Sequence, residues 1–308
     1  MKWRWALALL IFFAFVGWLE HLIGWKRLLV PWLSLSPPTL LAALVLMLGT
    51  YALRALRIYD YFSPALHGQF AATLRLTMLH NFFNNLLPMR TGEAAFPVLM
   101  RRYFGVPVSR SVPSLLWLRV LDLHVLLAVG WSAVSQRYLP DALGAPLLAL
   151  WLALPAVAFV MRAWLAARLR GRGGRGADLG RKLVEGLPER PVVFWRAWAW
   201  TWVNWGVKLA VMAFIFTRFD PLPWLVTLPG MIGGELGSVL PVHGVAGVGT
   251  YEAGVMAGLA PQGVALTAAL AAAVNLHLFI LGATVLGAGL ARLLPRPEAE
   301  DAAAESAD

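Results

Sequence analysis

The feature that most constrains this chain is a series of apolar runs, each near the length of helix that crosses a bilayer. They lie at about residues 5–23, 38–56, 70–88, 112–135, 143–161, 195–217, 224–240 and 264–291. A hydrocarbon core about 30 Å thick takes roughly 20 apolar residues of helix to span. Lipid offers no partner for backbone N–H and C=O groups, so such runs must satisfy themselves as helices. The composition agrees: 59% of the 308 residues are hydrophobic and 14% are charged, where a soluble domain carries about 25% charged residues. The fold class that follows is all-α, a polytopic helical membrane protein. One transmembrane domain covers residues 1–296, and the acidic, Ala-rich tail 297–308 is expected to be disordered.

Two stretches make poor simple crossings. Residues 70–100 hold His80, Asn81, Asn84, Asn85, Arg90 and Glu93, and are broken by Pro88, Gly92 and Pro97. Residues 224–260 hold Glu235, His243 and Glu252, and are broken by Pro229, Gly233, Gly234, Pro241, Gly244, Gly247 and Gly249. Irregular backbone at membrane depth survives only where protein or a watery cavity satisfies it. Both stretches are therefore read as re-entrant hairpins, which leaves about six full crossings: 5–23, 38–56, 112–135, 143–161, 195–217 and 264–291. The basic loop 162–196 then falls in the cytoplasm with both termini, as the positive-inside rule requires. The short loops left outside carry only Lys26, Arg27, Arg137, Asp141, Arg218 and Asp220.

In this topology the hairpins enter from opposite sides, each between two crossings. That is the plan of an inverted repeat, with a first half at about 38–135 and a second at about 195–291. Leu87-Pro88 opens one break and Leu240-Pro241 the other. Each is followed by glycine, by a Glu-Ala pair (Glu93-Ala94; Glu252-Ala253), by a turn with Pro107 or Pro261, and by a final helix.

The net charge of +10 is carried between apolar runs, so anionic phospholipid headgroups are the expected partner and nucleic acid is not. The start, Met1-Lys2-Trp3-Arg4 before an apolar run, imitates a signal peptide but lacks a small-residue cleavage pattern, and is read as a retained first helix. With no cysteine, thiolate chemistry is excluded. His80, His124, His243 and His277 show no metal-ligand spacing, and no Gly-Lys-Ser/Thr follows the glycine-rich stretch, so no metal, nucleotide or other cofactor is expected.

The polar clusters carry the candidate substrate-binding site. Asn84, Asn85, Arg90 and Glu93 surround the first break at Pro88 and Gly92. Charges in a membrane are expensive, and are functional candidates for that reason. Arg90 is able to fork onto a phosphate; Glu93 is able to pair with Arg90, hold an amine or carry a proton. Arg90 at the water boundary of an ordinary loop is the competing reading. The second break, at Pro241 and Gly244, leads through Gly247 and Gly249 to Tyr251 and Glu252. Glycines there permit positive φ and bring backbone N–H groups to an anion, or simply let helices pack closely. Arg119 and Asp122 lie one turn apart on one helix face. Lys208, inside an apolar run, needs a cavity or a carboxylate such as Glu235 or Glu252.

At these residues the chain resembles a known family, the transmembrane region of lysylphosphatidylglycerol synthase, the flippase-like integral membrane proteins. The resemblance rests on Arg54-Ala55-Leu56-Arg57, on Asn85-Leu86-Leu87-Pro88-Met89-Arg90-Thr91-Gly92-Glu93, on Arg119 with Asp122, and on Gly247-Val248-Gly249-Thr250-Tyr251-Glu252-Ala253 after Pro241. It runs over about residues 5–293, and the synthase domain found in some members has no counterpart. The chain departs from the family pattern at Asn275 and His277, where members often carry an Arg, and at His243, where a small or apolar residue is usual.

The resemblance implies movement of phospholipids between leaflets by a non-enzyme in the cell membrane. Two rivals stand beside that expectation. A membrane enzyme acting on lipid or polyprenyl phosphate would want a carboxylate cluster, a metal motif or a nucleophile. A structural subunit would tolerate substitution at the polar tips.

Overall fold

The computed structural model describes residues 2–63, 65–138, 140–238 and 245–295. The chain folds into helices α1 (Lys2–Leu22), α2 (Trp25–Leu33), α3 (Pro37–Tyr61), α4 (Phe70–Leu86), α5 (Ala95–Phe104), α6 (Val108–Tyr138), α7 (Asp141–Val160), α8 (Arg162–Leu169), α9 (Arg175–Glu185), α10 (Pro191–Phe219), α11 (Trp224–Gly237), α12 (Thr250–Leu259) and α13 (Leu266–Ala291). Among the described residues, 3-10 turns interrupt them at Pro88–Ala94, Val245–Gly247 and Ala260–Gln262. There is no strand among the described residues.

Among the described residues, five helical segments are long and apolar enough to span a membrane: Pro37–Tyr61, Val108–Ser132, Leu143–Val160, Pro191–Phe219 and Leu266–Ala291. The pair Leu9–Leu22 and Trp25–Leu33, bent by 81°, makes a sixth if taken as one span. The chain is thus an all-α polytopic membrane protein. Its spans leave Leu41, Val45, Leu150, Val160 and Leu286 exposed, the apolar surface that a lipid-facing helix presents.

The helices divide into two compact units. The first comprises Met1–Tyr51, Met78–Ala95 and Gly206–Leu293. In it, the short loop expected around Lys26 and Arg27 is instead helix α2. The bend is made by Gly24 at φ +82°, and the Glu20 carboxylate accepts the Trp25 N–H at 2.8 Å. Leu28 then packs with Leu19, Leu270 and Val274. Asn275 fixes the docking: its Nδ2 donates to the Leu28 carbonyl at 2.8 Å, and its Oδ1 accepts the Trp32 Nε1–H at 2.7 Å.

The same unit holds the α11–α12 pair, packed through a face of glycines. A Cβ on Gly233 would lie 2.1 Å from the Gly254 carbonyl oxygen, one on Gly258 2.1 Å from that of Pro229, and one on Gly237 2.5 Å from that of Thr250. These matched pairs run in opposite directions along the two helices, so the backbones touch in antiparallel register. Gly230, Gly233, Gly234 and Gly237 recur at the helical period and form one stripe. The spacing of Gly254 and Gly258, suggestive of a helix-pairing motif, serves this contact within the chain.

The second unit comprises Ala52–Thr77, Phe96–Trp205 and the segment that begins at Leu294. Helix α6 is its centre. Against it, Trp151 of α7 donates to the His124 carbonyl at 3.0 Å and stacks on the His124 ring at a centroid distance of 5.3 Å. Residues 162–196, read from the sequence as a loop, contain the short amphipathic helices α8 and α9. Helix α9 ends at Gly186, where a Cβ would lie 2.2 Å from the Pro113 carbonyl oxygen; the Tyr61 hydroxyl donates to the Gly186 carbonyl. Asp60 accepts from Arg196 and from Trp200 Nε1, each at 2.8 Å.

Candidate functional site

In the first unit the two chain breaks come together: the turn Pro88–Ala94 meets the turn Val245–Gly247. Leu87 is extended (ψ 135°), as a residue before proline must be, and Pro88 opens the first turn. Gly92 is required there, because a Cβ would sit 2.1 Å from the Phe83 carbonyl oxygen at the end of α4. The second turn carries Ala246 at φ 58°, Gly247 at φ 75° and Gly249 at φ 90°. A left-handed alanine costs about 1–2 kcal/mol, so this backbone is held by its surroundings.

Glu252 anchors the second turn. Its Oε2 accepts the Gly249 N–H at 2.7 Å, and its Oε1 lies 2.6 Å from His277 Nδ1 on α13. Glu252 is 2% exposed and His277 6%. The Tyr251 ring packs on the His277 ring at a centroid distance of 4.4 Å, and its buried hydroxyl has no hydrogen-bond partner among the described residues. The edge of the His277 ring that carries Nε2 faces Gly247. In the same unit Lys208 Nζ pairs with Glu235 Oε1 at 2.7 Å, so of the two carboxylates the sequence offered, Glu235 takes the lysine.

The first break is tied down in the same way. Asn85 Nδ2 donates to Thr284 Oγ1 at 2.9 Å, and Tyr51 shares that hydroxyl at 3.2 Å. His80 Nε2 lies 3.5 Å from Glu93 Oε2. Asn84 Oδ1 is buried without a hydrogen-bond partner among the described residues. The side chains of Pro88, Met89 and Arg90 lie outside the described residues, as do Pro241, His243 and Gly244 altogether.

Arg119 and Asp122 belong to the second unit. They do pair, Arg119 Nη1 to Asp122 Oδ2 at 3.3 Å, but the closer partner is Arg57, at 2.6 Å from Asp122 Oδ1. Trp205 Nε1 donates to the same oxygen at 3.0 Å, and Arg57 also donates to Thr201 Oγ1 at 2.9 Å. Asn204, fully buried, has neither side-chain amide atom hydrogen-bonded among the described residues.

Sequence reasoning passed over Arg57, Thr284 and His277 as site residues. In the sequence Arg57 carries part of the family resemblance together with Arg54, and His277 is a departure from it. Neither signal names a partner, because the partners lie far along the chain: Asp122 for Arg57 and Glu252 for His277.

Interrupted helices whose breaks meet beside buried polar side chains define a class: polytopic α-helical membrane proteins with broken helices. Within that class, the model of the lysylphosphatidylglycerol synthase transmembrane region matches residues 5–288, and the chain belongs to that family of membrane domains. No curated protein and no solved structure matches the chain.

Proposed function

We propose that this protein is a flippase- or scramblase-like transporter that moves a phospholipid between the leaflets of the cell membrane, with both termini cytoplasmic. The observation that carries the reading is the meeting of the two chain breaks beside the buried Glu252–His277 pair. A soluble-facing loop has no reason to hold a carboxylate and an imidazole at 2% and 6% exposure. In a membrane such groups are retained where they face a pathway.

The lipid phosphate docks at the tips on Arg90 and on backbone N–H groups of the turn at Gly247 and Gly249. The Gly249 N–H is already held by Glu252, so an arriving phosphate competes with that carboxylate for it. Displaced, Glu252 keeps His277 as its partner and faces the amine side of the headgroup or takes a proton. Glu93 beside His80 and the Lys208–Glu235 ion pair lie in the same unit, and Asn84 offers an acceptor with no hydrogen-bond partner among the described residues. No bond of the lipid is made or broken in this scheme.

The test is leaflet exchange in liposomes. Purified protein is reconstituted with fluorescent anionic or zwitterionic phospholipid, and outer-leaflet dithionite quenching is followed. Protein-dependent loss of the protected signal, slowed in Glu252→Gln and Arg90→Ala, is the expected result. Wild-type protein that is folded yet exchanges no headgroup, with or without an ion gradient, would overturn the reading.

A further inference from the structure

We infer that the second unit holds a lateral binding site for one acyl chain of an anionic glycerophospholipid, beneath the α8–α9 pair. This inference does not depend on transport at the tips. It starts from a partly open cavity of about 360 Å³ lined by α6, α7, α8, α9 and the residues just after α9. Trp117, Leu123, His124, Trp151, Leu183 and Leu187 are among the side chains that line it. Its size is that of a small-molecule pocket, and its wall is almost entirely apolar.

Three observations fix the occupant. The first is the wall. Helices α6 and α7 are membrane spans, and only 11% of the α7 span is buried within the protein. A cavity beside so peripheral a helix borders hydrocarbon, and hydrocarbon fills it at no cost in polar desolvation.

The second is depth. Trp117 sits at the level where α9 ends, since its Cβ lies 3.1 Å from where a Gly186 Cβ would be. His124 is seven residues further along α6, about 10 Å deeper by the helical rise. An acyl chain entering from the α9 end runs its methylenes past Trp117 and down to His124.

The third is the cover. Helices α8 and α9 expose Arg168, Arg175 and Lys182, with Arg170 and Arg172 exposed between them. Trp164 (57% exposed) and Leu179 (51%) project from the same pair as apolar anchors. An amphipathic element with basic and aromatic faces lies at the headgroup level. Its cations select a negative phosphate for the lipid whose chain lies below.

The experiment uses the full-length protein in nanodiscs and two photoactivatable probes. Phosphatidic acid and phosphatidylcholine each carry a diazirine in the acyl chain, and cross-linked peptides are mapped by mass spectrometry. The outward-facing Leu147 and Leu150 on α7 report ordinary bilayer contact. Phosphatidic acid is expected to label the peptides bearing Leu123, Leu183 and Leu187 more strongly than phosphatidylcholine does, and unlabelled phosphatidic acid to compete that labelling away. Arg168→Gln and Lys182→Gln should each reduce the preference by about fivefold. Ala158→Phe, which fills the cavity, should abolish cavity labelling and spare Leu147 and Leu150. Cavity peptides labelled no more than the Leu150 peptide, equal labelling by both probes, or labelling that excess lipid does not compete would each overturn the inference. The wild-type competition decides the matter even if the filled variant fails to fold.

Discussion

Two carboxylates, Asp122 in one unit and Glu252 in the other, are both buried and differently held. Asp122 is surrounded by permanent donors: Arg57 on both oxygens, Arg119 on one and Trp205 Nε1 on the other. Arginine does not lose its proton in a protein, so the donors around Asp122 are permanent. Glu252 is held by one histidine and one backbone N–H, next to a tyrosine hydroxyl with no partner among the described residues. Each of those partners is able to change: an imidazole nitrogen is donor or acceptor according to its tautomer, and the N–H belongs to a turn of residues with positive φ. Burial therefore does not distinguish an anchor from a working group. The exchangeability of the partners does.

The largest effect should come from the anchor. Asp122→Ala leaves the Arg57 guanidinium buried and unneutralised. Breaking a buried pair in this way costs about 3–5 kcal/mol. The expected outcome is loss of a monodisperse peak in fluorescence-detected size exclusion, with little protein left to assay. A variant of normal yield and thermal stability would show that the cluster is not an anchor.

Next in size is the glycine face that carries Glu252 into place. Gly233→Ala puts a methyl group 2.1 Å from the Gly254 carbonyl oxygen, and overpacking of this kind costs about 1–3 kcal/mol. Gly282→Ala on α13 is the control, with nothing within 4 Å of the new atom, and should be neutral or slightly stabilising. Thermal scanning of both in detergent separates close packing from a general dislike of alanine.

The comparison also marks how far the sequence was legible. Apolar run length, read together with the proline and glycine breaks, was enough to name the candidate crossings, because satisfying a backbone in lipid leaves one solution. The breaks at Pro88, Gly92 and the glycine-rich stretch were visible for a similar reason: proline and glycine leave little freedom about where a helix ends. Helices α2, α8 and α9 were read as loops, since they are short and partly polar and depend on tertiary contacts such as Leu28 with Leu270. Asp122 and Glu252 were both visible as charges in apolar surroundings. Their partners Arg57 and His277 were not, because nothing local links residues 65 or 25 positions apart.

Smaller in stability and larger in function is the effect at Glu252. Glu252→Gln keeps the size of the side chain and an oxygen to accept the Gly249 N–H. Stability should fall by about 1 kcal/mol, the scale of one hydrogen bond. Lipid exchange should fall by about tenfold or more, equivalent to about 1.4 kcal/mol on the barrier. His277→Gln should share this pattern, and combining the two should cost little more than either alone, because both remove one pair. Additive losses would dissolve the pair as a unit.

The smallest effect should come from the outer partner of the anchor. Arg119 approaches Asp122 at 3.3 Å and its side chain is 24% exposed, against 2.6 Å and 3% for Arg57. A partly exposed ion pair contributes about 0–1 kcal/mol, and Asp122 keeps its other donors when this one is removed. Arg119→Gln should therefore fold as wild type does, while Arg57→Gln should resemble Asp122→Ala in size-exclusion yield. If Arg119→Gln instead leaves folding intact and stops lipid exchange, Arg119 is bound to substrate rather than to the anchor. The line between holding and working would then run through the Asp122 cluster, not between the two carboxylates.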